Sequence, residues 1–147
     1  MKAFFLLTGI LLFFQVNSQN LLEETFKGCD TEKFVIESDS ISIHPIEDFL
    51  DVFSENIDIE IIKEIQGVLF LQILVDKEGK SCLISVDNQT NVPTNQLYLK
   101  EMVDERLFWQ RPKEKISVMF GLNFQDEFVN YVRVGLDANK GFHPIEE

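Results

Sequence analysis

The chain has 147 residues, with 25 acidic against 13 basic side chains and a formal net charge of −12. So large an acidic excess argues against nucleic acid and anionic membrane surfaces as partners. The length suits one domain able to bury about two thirds of its unfolded surface, and the pattern calls for no second one.

Residues 1–18 read as a signal peptide. Lys2 gives a minimal positive start, Ala3 to Phe14 is apolar, and Val16-x-Ser18 supplies the small-residue cleavage pattern. The apolar part is about half of the ~20 residues that a membrane-spanning helix needs, so removal rather than anchoring is expected. That leaves 129 residues of charge −13, periplasmic or secreted. Residues 19–44 read as an extended lead, polar from Asn20 to Thr31, with Phe34-Val35-Ile36 and Ile41-Ser42-Ile43 pairing as a short ribbon. Cys29 and Cys82 permit one disulfide in an oxidising compartment. Cys82 also alternates in phase with Ile84 and Val86, where an unpaired Cys is a small buried hydrophobe.

Residues 45–136 hold the folded domain. His44-Pro45 is a helix start, with Pro tolerated at the first helical position, and Ile46, Phe49, Leu50, Phe53 and Ile57 recur at helical spacing. A shorter helix through Glu60 to Glu64 ends at Gly67. Val68 to Val75 is an apolar run of strand length, Asp76-Lys77-Glu78-Gly79 is a turn, and Lys80 to Val86 is the return arm of a hairpin. Asp87 to Pro93 is a polar loop. Thr94 is the N-cap of a helix whose Leu99, Met102, Val103 and Leu107 share a face. Lys115 to Phe124 alternates as a strand with one buried face, Phe128 to Val134 is a last short strand, and residues 137–147 form a polar, mobile tail.

The residues Ile65-Gln66-Gly67-Val68, the hairpin around Val75-Asp76-Lys77-Glu78-Gly79-Lys80, Trp109 at the end of the third helix, Arg111-Pro112, and Ile116-x-Val118 running to Phe124 together resemble the C-terminal domain of TonB-type energy transducers. Phe26-Lys27-Gly28-Cys29 is similar to a short element that precedes such domains in periplasmic proteins. The resemblance covers roughly Leu50 to Phe124. It implies an α+β fold, a small two-layer domain with an antiparallel sheet packed on helices. It also implies a way of binding, in which a receptor segment is added as a strand to a sheet edge. The chain departs from the family in lacking a Tyr-Pro pair before the short helix, in a compressed loop after Trp109, and in having no Pro-rich spacer. The candidate binding edge is Lys115, Ser117, Val118, Met119, Phe120, Leu122 and Phe124 on one strand, with Val129, Tyr131 and Arg133 on the next.

No nucleophile stands beside a candidate base, and neither a phosphate-binding glycine loop nor a nucleophile elbow is present. His44-Pro45-Ile46-Glu47-Asp48 and His143-Pro144-Ile145-Glu146-Glu147 repeat one order of residue types, and a divalent metal site would need both ends to meet. Lys100, Arg106, Arg111, Lys113 and Lys115 form a basic cluster, either a solvated stretch or a positive face for an acidic segment. Asn88-Gln89-Thr90 matches the glycosylation acceptor, relevant only to a eukaryotic secretory route. The expectation is an exported protein- or peptide-binding module with no catalytic residues, cofactor, metal or stable membrane span, for which the resemblance implies an outer-membrane receptor segment as partner. The alternatives are a structural subunit of an envelope complex and a metal-dependent exported enzyme.

Overall fold

A computed structural model describes residues 20–126 and 128–145. The expected signal peptide lies outside the described residues. Seven strands form one sheet: β1 (Glu24–Thr25), β2 (Val35–Ile36), β3 (Gly67–Val75), β4 (Ser81–Thr90), β5 (Ile116–Gln125), β6 (Phe128–Asp137) and β7 (Gly141–Pro144). Their order is β1-β4-β3-β5-β6-β7, with β2 beside β5. Every pairing is antiparallel except β2 with β5, which is parallel. Three helices accompany the sheet: α1 (Phe49–Asn56), α2 (Ile59–Glu64) and α3 (Leu99–Arg106). The architecture is α+β, with the sheet predominating. Among the described residues no helix is long and apolar enough to cross a membrane.

The hairpin β3–β4 forms where the apolar run and its Asp-Lys-Glu-Gly turn require it. Asp76 Oδ1 accepts from the Glu78 and Lys80 amides, both at 2.9 Å. Gly79 sits at φ +84, and a Cβ there would lie 2.3 Å from the Trp109 carbonyl oxygen, so only glycine lets that segment dock. Alternation sends Leu69, Leu71, Ile73, Val118, Phe120 and Leu122 to one face of the sheet, under α1 and α3. Phe49 of α1 stacks on Phe120 at 4.2 Å between centroids, and Phe53 lies 5.7 Å from Phe124. Full burial of each such side chain stabilises the fold by about 1.5–3 kcal/mol.

Several expectations change. The first helix begins at Phe49, because the Asp48 carboxylate accepts from the amides of Leu50 (2.8 Å) and Asp51 (3.4 Å) and caps it there. His44 to Ile46 is instead extended against Phe108 to Gln110: the Ile46 amide donates to the Phe108 carbonyl, and the Gln110 amide to that of His44. The ribbon of residues 34–36 with 41–43 reduces to a Ser38–Ile41 bridge, and Val35–Ile36 pairs with Ile116–Ser117. β4 runs on to Thr90 through the expected loop, since β3 continues opposite it to Gly67. Thr94 opens a single 3-10 turn, Thr94–Gln96, and Tyr98 at φ +48 separates that turn from α3. β5 is covered on both faces over most of its length, with Ser117, Met119 and Gly121 buried too. The expected mobile tail supplies β7, paired with Val134 to Asp137. The lead, residues 20–44 as described, is part of the sheet through β1 and β2.

Candidate protein-binding surface

Of the two strands expected to offer a binding edge, β5 is interior, while β6 is paired on its far side, among the described residues, only by β7 at Val134–Asp137 and by the Ile145 amide on the Arg133 carbonyl. β5 pairs with β3 from Ile116 to Phe124 on one side. Its other side is taken by β2 at Ile116–Ser117 and by β6 from Met119 to Gln125. An incoming peptide therefore finds no edge on β5. Val118, Phe120, Leu122 and Phe124 are core residues, and Val129 and Tyr131 pack against the same core from β6. Ser117 Oγ accepts from Gln72 Nε2 at 3.1 Å, while Gln72 Oε1 accepts from Ser85 Oγ (2.6 Å) and from the Leu21 amide (2.8 Å). This buried polar cluster fastens the lead across the sheet. Its one visible sign in the sequence was a glutamine inside the apolar run of β3.

Lys115 and Arg133 are both structural. Lys115 Nζ donates to Asp30 Oδ2 (2.6 Å) and to the carbonyls of Asp30 (2.9 Å) and Glu32 (3.0 Å). That hydrogen bond from Lys115, helped by the Glu32 amide, holds the Asp30 carboxyl below the ordinary aspartate range. Arg133 is buried beside Glu37, with Nη2 donating to Oε1 and Nε to Oε2 at 3.2 Å. Its guanidinium carbon lies 5.5 Å from the Trp109 ring centroid and 5.9 Å from that of Phe120. Glu37 Oε1 also accepts from Ser42 Oγ (3.1 Å) and the Ile43 amide (3.3 Å). Burial raises the Glu37 carboxyl above its usual range, with the Arg133 charge pulling the other way. Trp109 Nε1 donates to Ser81 Oγ at 2.7 Å, completing a satisfied core side chain.

Parts of the sheet margin are covered or blunted. Leu83 on β4 donates its amide to Asp104 Oδ1 at 2.8 Å, and Cys29 is joined to Cys82 with Cα atoms 5.8 Å apart. Pro144 in β7 has no amide to offer a further strand. Cys82 is thus half of a bridge as well as half-buried. His143 is held by Asp39, Nε2 to Oδ1 at 2.8 Å, with Nδ1 donating to the Gly141 carbonyl at 3.0 Å. Among the described residues no three metal-ligating side chains gather, and His44 is engaged through its backbone with Gln110.

On the face of the sheet away from the helices, the lead covers Gln72 and Ser117, Leu74 and Met119 are buried, and what remains open is the part along β6 and β7. To this face β3 contributes Val68, Phe70, Gln72 and Leu74, and β5 contributes Ser117, Met119, Gly121 and Asn123. β6 adds Phe128, Asn130, Val132, Val134 and Leu136, and β7 adds Phe142 and Pro144. Not one of these positions is charged, in a chain of which 26% of residues are. Phe128, Val132 and Phe142 are exposed by 75%, 37% and 54%, so water touches apolar side chains strung along the β6–β7 margin, with Phe128 at the start of β6 and Phe142 beside Leu136 near its other end. Local pattern does not show that these residues share a face, because β6 extends past Val134 and β7 forms only through pairing between them. No protein-family model, curated protein or solved structure matches this chain.

Proposed function

We propose that the chain is an exported protein-binding module built on a TonB C-terminal-like core, and that it receives its partner on the uncharged outer face of β5, β6 and β7. The single observation that carries the reading is that face, which exposes Phe128, Val132 and Phe142 in a protein of net charge −12. Large apolar side chains left in water without charged neighbours mark interaction surfaces. The order α1, α2, β3, β4, α3, β5 is the order on which the resemblance to transducer domains rests, and it supports the core assignment. The resemblance implies a receptor segment added as a strand to a sheet edge, on β5 or β6. Here β2 and β6 flank β5, which leaves the first half of β6 beside the exposed face as the place for such a segment.

The test is affinity capture of envelope proteins on the purified protein, in parallel with a Phe128→Asp/Phe142→Asp variant. Both side chains are exposed, so the variant is expected to melt at the same temperature as the parent. A partner retained by the parent and reduced at least about tenfold with the variant supports the reading, since a buried charge without a counter-charge opposes association. Equal recovery on both, or no specific recovery by the parent, overturns it.

A further inference from the structure

The arm His44 to Ile46 runs antiparallel to Phe108 to Gln110, with Pro45 opposite Trp109. Continued by two residues, that ladder would pair Ser42 with position 112. Position 112 is proline, which has no amide to donate, and the ladder stops. The two arms diverge around a groove of about 510 Å³. Val35, Ile41, Ile43 and Ile116 give it an apolar lining, and Arg111, Lys113 and Glu114 supply its charged groups. Ile41 is 44% exposed on the wall of this groove. Arg111 and Lys113 are exposed, and among the described residues neither has a carboxylate within ion-pair distance, although acidic groups outnumber basic ones almost two to one.

We infer that this groove is a second binding site, for an extended polypeptide segment of a partner that alternates aliphatic with acidic residues. In an extended segment, side chains two apart point the same way, about 6.6 Å from one another. Aspartates at that interval match Arg111 and Lys113, which are also two positions apart, while the intervening aliphatic side chains reach Ile41 and Ile43. The segment's backbone runs beside Ser42, whose main chain has no ladder partner among the described residues. Two cations against one Glu114 favour an acidic occupant, and the aliphatic wall excludes a bare inorganic anion as a sufficient ligand. The site is separate from the outer face of β5, β6 and β7, so either can fail without the other.

The probe is a fluorescein-labelled, terminally blocked pentapeptide alternating leucine with aspartate, titrated with the purified protein and read by anisotropy. Saturable binding is expected, weakened at least about tenfold by Arg111→Glu/Lys113→Glu and about threefold or more by Ile41→Ser. Replacing the aspartates of the peptide by asparagine should weaken it comparably to the charge reversal. Because all three positions lie on the surface, unchanged melting temperatures will show that the variants fold. Amide chemical-shift changes on peptide addition should centre on Ile41 to Ile43 and Gln110 to Glu114. No saturable binding, or binding within about twofold for the charge-reversed variant, overturns the proposal. So does full retention of affinity by the asparagine peptide.

Discussion

Glu37 and Arg133 bring two charges out of water, and the cost is met only because each satisfies the other and Ser42 and Ile43 complete the carboxylate. Removing one partner strands the second. Glu37→Leu is therefore expected to lower unfolding stability by about 3–5 kcal/mol, whereas Glu37→Leu with Arg133→Met together should cost far less than the single change. Urea unfolding of the parent, both single variants and the double variant measures this. A double variant as unstable as Glu37→Leu alone would mean that the pair's packing, not its charge, dominates. Neither residue announced itself in the sequence. Glu37 follows an apolar triplet and Arg133 alternates within a strand, each indistinguishable from a solvated charge until the partner 96 positions away is placed.

At the scale of elements, legibility followed the range of the interactions. The hairpin, its glycine turn and the buried stripe Leu99, Met102, Val103 and Leu107 depend on neighbours within a few residues and stand in kind, as does the short second helix, which however stops at Glu64 and leaves Gly67 to open β3. β2, the extension of β4 and the C-terminal pair β6–β7 depend on distant strands, which local pattern does not encode. The interior position of β5 was hidden for the same reason, and with it the absence of an edge on that strand. β7 has its own signature in solution. The Gly141 carbonyl and then Asp39 raise the His143 imidazole above its ordinary 6.5, while Lys140 and then His143 keep the Asp39 carboxyl below its ordinary 3.8. A raised histidine contributes its full stabilisation below pH 6.5 and loses it as pH rises through the raised value. A proton NMR titration should place His143 above 6.5, and Asp39→Asn should bring it down towards 6.5. β7 amides should exchange faster, after correction for intrinsic rates, once the histidine is neutral. A His143 titration unchanged by Asp39→Asn would show that the contact does not hold β7.

For the whole molecule, the bridge between Cys29 and Cys82 closes a loop across 53 positions and ties the lead to the hairpin. Chain-entropy reasoning gives about 4 kcal/mol for a loop of that length, with measured values commonly 2–4 kcal/mol. Cys29→Ser/Cys82→Ser should lower the unfolding free energy by that smaller range while the folded spectrum is retained. A change below about 1 kcal/mol would mean that β1 and β2 hold the lead without it.

Glu37 and β5 both precede β6 in the chain, so they wait for it during synthesis. A chain made or exported from its N-terminus presents Glu37 first and Arg133 nearly last. Until β6 is laid down, the outer side of β5 from Met119 to Gln125 stands uncovered, and Glu37 must remain in water because its counter-charge does not yet exist. The half-made domain thus displays the very edge that the finished one conceals, open to strand exchange with another nascent copy. Laying down β6 is what covers that side of β5 and brings Arg133 to Glu37.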